Sequence, residues 1–399
     1  MTGSSAPAPA ASTSPQAGAW LRPWLWLAWL VTLGLGLAGI YQRMTQGHVP
    51  AGYGSYVPWG LWVAIYFHGV GIAGGAFVLG AGGFVLGLQG FDRPVQLRTV
   101  IVLATAAILP AFMGVWLDLG HMERAPFIFM YPSFTSMMAF NAWMYTAFLI
   151  LAAVCWLLSH KSRSGWLKPL LCLAILFSIL FPSQSGAFFG VVEAKGFWHS
   201  ALLPMLFLAS AITAGAATLL VVRSLWDDPG LSRTEHDLAV ARLRVVTLAG
   251  LSVYFAFEFA EFSIALWNPT THAPAVELIL WGPYWWVFWI VHLLLGGLVP
   301  LVLLIARRPR AWIGAVLLVA VAFISARLNV LVPGQAVSEI HGLQEAFQHE
   351  RLTYVYHATV MEYLVGLFLL AVGAAVFFVG ERINRWTARR VASFSRGEA

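Results

Sequence analysis

Charge is what this chain has least of. Only 10% of its 399 residues are Asp, Glu, Lys or Arg, against 60% hydrophobic, and the mean hydropathy of +0.77 lies outside the range of soluble domains. Such scarcity excludes a fully solvated surface. Cysteine is almost missing as well. Cys155 and Cys172 stand alone with no C-x-x-C pattern, so the chain cannot hold an iron–sulfur centre by itself, and both read as packing residues. The opening MTGSSAPAPAASTSPQAG lacks the basic n-region and cleavage pattern of a secretory signal. Its Ala/Pro/Ser composition predicts a disordered tail over 1–19, followed by a retained helix.

What remains is apolar length. About 20 residues of helix cross roughly 30 Å of hydrocarbon, and ten runs qualify: Trp24–Ile40, Trp59–Leu88, Val100–Leu119, Thr135–Leu158, Leu167–Pro182, Ala201–Val222, Leu243–Trp267, Tyr284–Ala306, Ala311–Val332 and His357–Val379. The fold class is therefore an all-α integral membrane protein of ten spans, with a membrane domain over 20–380 and a basic tail over 381–399. Many of the 19 Trp fall near span ends (Trp59, Trp267, Trp285), as an interfacial aromatic belt requires. With ten spans both termini share one side. That side, with the loops after spans two, four, six and eight, holds 18 of the 23 Lys and Arg; the other holds Arg43, Arg124, Lys195, Arg327 and Arg351. The bias predicts cytoplasmic termini and, despite a basic pI, a bilayer rather than nucleic acid as partner.

The few intramembrane ionisable groups carry the functional signal, because a charge at the bilayer centre costs about 2.5–3.5 kcal/mol on insertion scales and so faces protein or a wet cavity. The second span enters from outside at Pro58 and carries His68 about 15 Å along its axis. The third leaves by Asp118 and His121. The seventh contains FAFEFAEFSIALW, whose Glu258 and Glu261 lie three apart on one side of a helix. His292 and Glu362 sit about two turns into spans eight and ten, and Arg327 lies near the outer end of span nine. All fall in the outer leaflet, and the expectation is a single cluster drawn from five or six helices. Two acids in a low-dielectric site suit proton exchange. Each residue also has a plainer role: Arg327 as a structural bolt to Glu258 or Glu362, His68 as a hydrogen-bonded core histidine, and Asp118 with His121 as helix-end groups.

Span two is dense in glycine (Gly69 to Gly83), and Gly71-x-x-x-Gly75 reads as a close-packing face rather than a phosphate loop. A shift of 141 residues lays GIAGGAFVL (Gly71–Leu79) on ITAGAATLL (Ile212–Leu220) and brings Asp118 beside Phe259. Spans two to five and six to nine thus read as two parallel four-helix units, over about 56–182 and 198–332, flanked by spans one and ten.

YVPWGLWVAIYFHGVGIAGGAF (Tyr56–Phe77), LDLGHMER (Leu117–Arg124) with YPSFTSMMAFNAW (Tyr131–Trp143), and RLNVLVPGQ (Arg327–Gln335) with YHATVMEYLVG (Tyr356–Gly366) resemble the NrfD/polysulfide reductase membrane-subunit family, and more narrowly its ten-helix HybB- and DsrP-like branch. The resemblance spans most of the chain. It implies a quinone-reactive anchor in the inner membrane, using menaquinone or ubiquinone, with no haem or iron–sulfur cluster of its own. It implies partners too: a ferredoxin-like iron–sulfur subunit docked outside, and a catalytic subunit of molybdopterin or hydrogenase type. Carried over by position, it points to His68, Asp118 and His121 at a quinone pocket in the first unit; Tyr66 departs from the acid that HybB-like members carry there.

In that frame His68 addresses a quinone oxygen, Asp118 or His121 exchanges the proton, and Tyr66, Phe67 and Trp116 flank the ring. Glu258 and Glu261 extend or duplicate the route, with His292, Arg327 and Glu362 as structural or proton-path groups. The inner half offers few acceptors (Thr105, Thr247, Ser252, Tyr254), which favours a redox site over a pump, although some relatives are thought to move protons. The segment Pro333–Tyr356 carries a short surface helix, and its acids Glu339, Glu345 and Glu350 are candidates to meet a basic partner. Three alternatives stand beside this: a b-type cytochrome ligated by His68, His292 or His357; a secondary transporter, suggested by repeated bundles with acids inside; and a purely structural anchor.

Overall fold

The computed structural model describes residues 22–161, 164–225, 231–267, 272–306, 309–340, 342–346, 349 and 352–395. The expected tail over 1–19 lies outside them, as do Arg163, Arg307, Arg308, Glu350, Arg351 and Arg396. No strand occurs among the described residues, and ten helices are long and apolar enough to cross a bilayer. They are α1 (Arg22–Gln46), α2 (Leu61–Val85), α3 (Pro94–Asp118), α4 (Met137–Leu158), α5 (Leu167–Gly190), α6 (Leu203–Leu225), α7 (Arg233–Trp267), α8 (Val287–Ile305), α9 (Pro309–Ala322, then Ile324–Ala336) and α10 (Val360–Ser395).

Local chemistry sets the boundaries. α3 opens on Pro94, which needs no amide donor in the first turn. α4 is capped by Ser136, whose hydroxyl accepts from the Ala139 amide at 3.3 Å. α7 starts ten residues before its apolar run because Ser232-x-x-Glu235 forms a reciprocal cap: the Ser232 amide and hydroxyl both donate to the Glu235 carboxylate at 2.8 Å. α5 does not stop at Pro182, where the apolar run suggested an end, but continues to Gly190. Inside a membrane bundle, neighbouring helices stabilise the continued turn. α10 runs unbroken for 36 residues, about 54 Å at 1.5 Å per residue.

α2 is the central post, packed by α3, α5 and α6. Its glycines explain how. A Cβ on Gly75 would collide with the Ala211 carbonyl, and one on Gly215 with the backbone of Gly75 and Ala76. The two echoing segments of the sequence therefore lie against each other, backbone to backbone. α1 and α10 pair outside this core through Gly36 and Gly39, α10 also packs on α3, and the most apolar stretches of α1 and α10 are only 11% and 17% buried.

The loops after α1, α3, α5, α7 and α9 meet at one end, which we call the arginine-poor end. They knit together through Gln335 with the Trp59 backbone (3.0 Å in both directions), Lys195 to the Val337 carbonyl (3.0 Å) and Trp198 to the Val330 carbonyl (2.8 Å). The helical turn Leu343–Ala346 lies here. At the arginine-rich end Arg93 pairs with Glu235 at 2.9 Å. Glu381 is buried beside Arg98 and accepts from the Asn384 amide at 2.9 Å, while Asn384 accepts from the Trp156 indole at 2.7 Å.

Candidate functional site

The residues singled out by sequence do not share one chamber; the fold distributes them over several places. Asp118, the last residue of α3, lies at the arginine-poor end beneath α1 and α10. Arg43 of α1 donates to the Leu117 and Leu119 carbonyls (2.8 and 3.0 Å), satisfying the end of α3 as a cation should, and also donates to His48 at 2.7 Å. His48 in turn bonds the Tyr53 hydroxyl. Burial and Arg43 hold the His48 imidazole below its ordinary value, and burial with the nearby Asp118 and Glu362 carboxylates pushes the Tyr53 phenol up. Asp118 Oδ1 is buried without a partner.

Glu362 serves mainly as a cap. With Thr359 it makes a Thr-x-x-Glu box, accepting from the Thr359 amide (3.0 Å), the Gly52 amide (2.8 Å) and the Tyr356 hydroxyl (2.5 Å). His121 and Trp116 are at the surface. His121 pairs with the exposed Glu123 at 2.9 Å, and Trp116 donates to the Met122 carbonyl at 3.0 Å. His121 borders an open depression of about 350 Å³ with Leu119, Gly120, Arg124, Ala125 and Ile128.

Tyr66 points into the first bundle, among Phe67, Phe112 and Tyr145, and Tyr145 donates to Ser185 at 2.8 Å. His68, on the same helix, looks the other way, toward α9. The cause is the break in α9 at Phe323, which strands the last carbonyls of Pro309–Ala322. His68 Nε2 takes the Ala320 carbonyl at 2.7 Å, and Ser325 takes the Ala322 carbonyl at 2.5 Å. One interruption thus serves both bundles.

Arg327 follows the same break. It is 4% exposed, with its guanidinium 3.9 Å from the Phe207 ring centroid and one nitrogen donating to the Phe207 carbonyl at 3.2 Å. It makes no ion pair among the described residues, so it bolts neither Glu258 nor Glu362, and its Nε has no partner. A Cβ on Gly71 would come within 3.2 Å of it. Gly71 lies one turn from His68 on α2, so the imidazole and the guanidinium flank one face.

The second bundle holds the most complete network. His292, fully buried, sits within a π-helical stretch over Val287–Leu298, a geometry common at functional sites. Its Nε2 meets Glu258 at 3.0 Å and its Nδ1 meets the Ser325 hydroxyl at 3.1 Å; Tyr254 donates to Glu258 at 2.9 Å. Glu261 is buried too but engages a separate set, accepting from Ser200 at 2.8 Å and lying 3.7 Å from the part-exposed His272. The two glutamates therefore engage separate partners rather than forming a carboxyl pair that shares one proton. No group of three His, Cys, Asp or Glu side chains among the described residues is arranged to hold a metal.

Sequence reasoning missed Arg43, His48, Tyr53 and Ser325, and it did not join Tyr254 to Glu258. The Tyr254–Glu258 spacing of four was a readable signal, as was Thr359-x-x-Glu362. The break in α9 left none.

Residues 50–339 match the family model described as Polysulphide reductase, NrfD. A selenate reductase subunit of Mesobacillus selenatarsenatis is 25% identical over 387 residues, covering 86% of this chain and 90% of that protein. An Hdr-like menaquinol oxidoreductase integral membrane subunit of Archaeoglobus fulgidus is 26% identical over 343 residues, covering 83% and 86%. Protein NrfD of Escherichia coli is 24% identical over 274 residues, covering 61% and 83%.

Proposed function

Because this chain belongs to the NrfD polysulphide reductase family, we propose that it is the quinone-reactive membrane subunit of a respiratory oxidoreductase complex. It sits in a bacterial inner membrane with its arginine-rich end in the cytoplasm. At its arginine-poor end it meets a ferredoxin-like iron–sulfur subunit, which relays electrons to or from a catalytic subunit of molybdopterin or hydrogenase type.

The observation that carries this reading is His68: a buried histidine with one ring nitrogen unpartnered among the described residues, beside an unpaired buried guanidinium and aromatic rings from α2, α5 and α6. Phe67, Phe189 and Phe207 pack with centroids 5.3–5.8 Å apart. Such a face fits the flat, weakly polar headgroup of menaquinone or ubiquinone, which needs an apolar slot and one or two directed hydrogen bonds. The bound carrier supplies the two-electron, two-proton chemistry. The chain's part is to orient the ring through His68, to keep water from it with phenylalanines, and to give protons an exit.

Asp118, with Tyr53 and His48, and beyond them the surface His121, forms that exit at the arginine-poor end. The second bundle's sequence from His272 through Glu261 to Glu258 and His292 is a further proton-bearing route, available if the complex also moves protons.

The test begins with the intact complex purified through this chain, its co-purifying polypeptides identified and its quinone extracted. An iron–sulfur polypeptide and quinone are expected in the wild type, with quinone occupancy lost in His68→Ala and turnover slowed in Asp118→Asn. Equal quinone content in His68→Ala would remove the site from this location. A haem signal from this chain in the reduced-minus-oxidised spectrum would replace the reading altogether.

A further inference from the structure

At the arginine-rich end a buried cation and a buried acid face each other without closing an ion pair. Val360–Val379 of α10 covers about 30 Å at 1.5 Å per residue, so Glu381 stands where hydrocarbon gives way to the headgroup layer. Gly380 seats α10 on α3 at this depth: a Cβ there would collide with the Val102 side chain. Arg98 lies one turn before Val102 on the same face of α3 and so comes beside Glu381. Arg98 is 7% exposed and Glu381 4%.

The groups around this pair are satisfied, and the pair is not. The Trp156 indole donates to Asn384 at 2.7 Å, and the Asn384 amide donates to Glu381 Oε1 at 2.9 Å. Both ring nitrogens of His160 are engaged, by the Trp156 carbonyl at 2.9 Å and the Thr387 hydroxyl at 3.0 Å. Burial, with the nearby charge of Arg98, holds that imidazole below its ordinary value, so the buried cation at this spot is Arg98. Its guanidinium makes no hydrogen bond and no ion pair among the described residues; Nε is enclosed without a partner, while the two Nη groups open to the outside of the bundle. Glu381 Oε2 carries no hydrogen bond either. Arg93 and Glu235, at the same end, show the closed alternative at 2.9 Å.

A buried guanidinium without acceptors is costly, and at this depth the molecules at hand are lipids. Phosphate oxygens satisfy the guanidinium. Glu381 then chooses among phospholipids. A glycerol headgroup leaves its carboxylate beside an uncompensated phosphate charge, and a choline brings a cation with no N–H. A primary ammonium brings both the charge and the donors that Oε2 lacks. We propose that the gap between Arg98 of α3 and Glu381 of α10 is a binding site for an ethanolamine-type phospholipid, with its phosphodiester on Arg98 and its ammonium on Glu381. Exposed Val379, Ile383 and Leu157 offer apolar surface on α10 and α4 for the acyl chains, and the exposed Arg382 attracts phosphate without distinguishing headgroups. The lipid joins the foot of α10 to α3 whichever electron carrier the subunit uses.

Native mass spectrometry of the purified full-length chain in detergent, titrated with phosphatidylethanolamine, phosphatidylglycerol and phosphatidylcholine of matched acyl chains, reads the affinities. The wild type should bind the ethanolamine lipid at least about tenfold more tightly than the choline lipid, and more tightly than the glycerol lipid. Glu381→Gln, which keeps the size and removes the charge, should bring the ethanolamine and choline lipids within about threefold of each other. Arg98→Met combined with Glu381→Leu removes both charges together and leaves no unpaired buried ion to unfold the chain; it should abolish the preference. Equal binding of ethanolamine and choline lipids by the wild type, the result expected if only water bridges the gap, overturns the inference. Tighter binding of the glycerol lipid, or a preference unchanged in the paired variant, overturns it as well.

Discussion

α2 and α8 each bury one histidine against the same break in α9, yet the two are treated differently. His292 of α8 has both ring nitrogens engaged, by Glu258 and Ser325, and the carboxylate is further held by Tyr254. His68 of α2 has one nitrogen engaged, by a backbone carbonyl, and its charged neighbour is a cation rather than an acid. A histidine bridging a carboxylate and a hydroxyl has its proton inventory closed by the protein. One left with a free nitrogen beside an unpaired guanidinium is open to a ligand. On the proposed function the contrast separates a site that stores or passes protons from a site that receives a molecule, although both use the same residue on the same scaffold.

The comparison can be broken most directly by deletion. His292→Leu leaves the Glu258 carboxylate buried with only Tyr254, and removing one member of such a buried pair costs about 3–5 kcal/mol. His68→Leu removes a single hydrogen bond to a carbonyl, a loss of about 1–2 kcal/mol. Denaturant unfolding of the two variants in one detergent should rank them in that order; equal losses would show that the closed network is no more structural than the open one. Arg327→Met should be neutral or mildly stabilising, since it relieves the desolvation of a buried charge that has no ion pair among the described residues, while quinone binding falls. A clear loss of stability would mean that Arg327 is a packing element after all. Smaller again is the effect of adding a methyl at Gly71, whose nearest neighbour is the flexible end of Arg327 at 3.2 Å: Gly71→Ala should disturb quinone affinity more than folding. Gly75→Ala, pressed into the rigid Ala211 backbone, should cost about 1–3 kcal/mol, measured by the same unfolding assay.

The parts of this architecture written into the sequence are those with a periodic or compositional cause. Ten apolar runs gave ten helices, and the glycines of the echoed segments proved to be the α2–α6 crossing. Polar residues within the runs correctly marked buried positions: His68, Glu258, Glu261, His292, Arg327 and Glu362 are all shielded. What could not be read is which of them meet. Glu258 and Glu261 lie on one side of α7, but a three-residue step turns their tips toward different helices, α8 for one and the α5–α6 loop for the other. Partnership depends on helix rotation and on irregularities such as the Phe323 break and the π-helical turn around His292, and no residue type there announces either. His121 and Trp116 lie at the surface for a different reason. Their motif ends a helix, and the chain beyond it runs into a surface turn rather than the bundle interior.

A third histidine sharpens the contrast by isolating the cation. His48 has an arginine neighbour as His68 does, but it lies in the turn after α1, where water and the Tyr53 hydroxyl are at hand. Burial and Arg43 lower its proton affinity in the folded protein, so the unfolded chain binds the extra proton more readily. Its contribution to stability is therefore complete above the unfolded value near 6.5 and is lost as pH falls through the folded value, with slope set by the difference in bound protons. Acidification should loosen the clamp of Arg43 and His48 on the end of α3 before it affects the bundles. Hydrogen exchange at the amides of residues 47–57 should rise on moving from neutral pH to about 5 once corrected for intrinsic rates, and His48→Gln should remove that rise. If the wild-type change survives in His48→Gln, the pH response belongs to the neighbouring Asp118 and Glu362 carboxylates, and an arginine beside a histidine at this end of the molecule is only a helix cap.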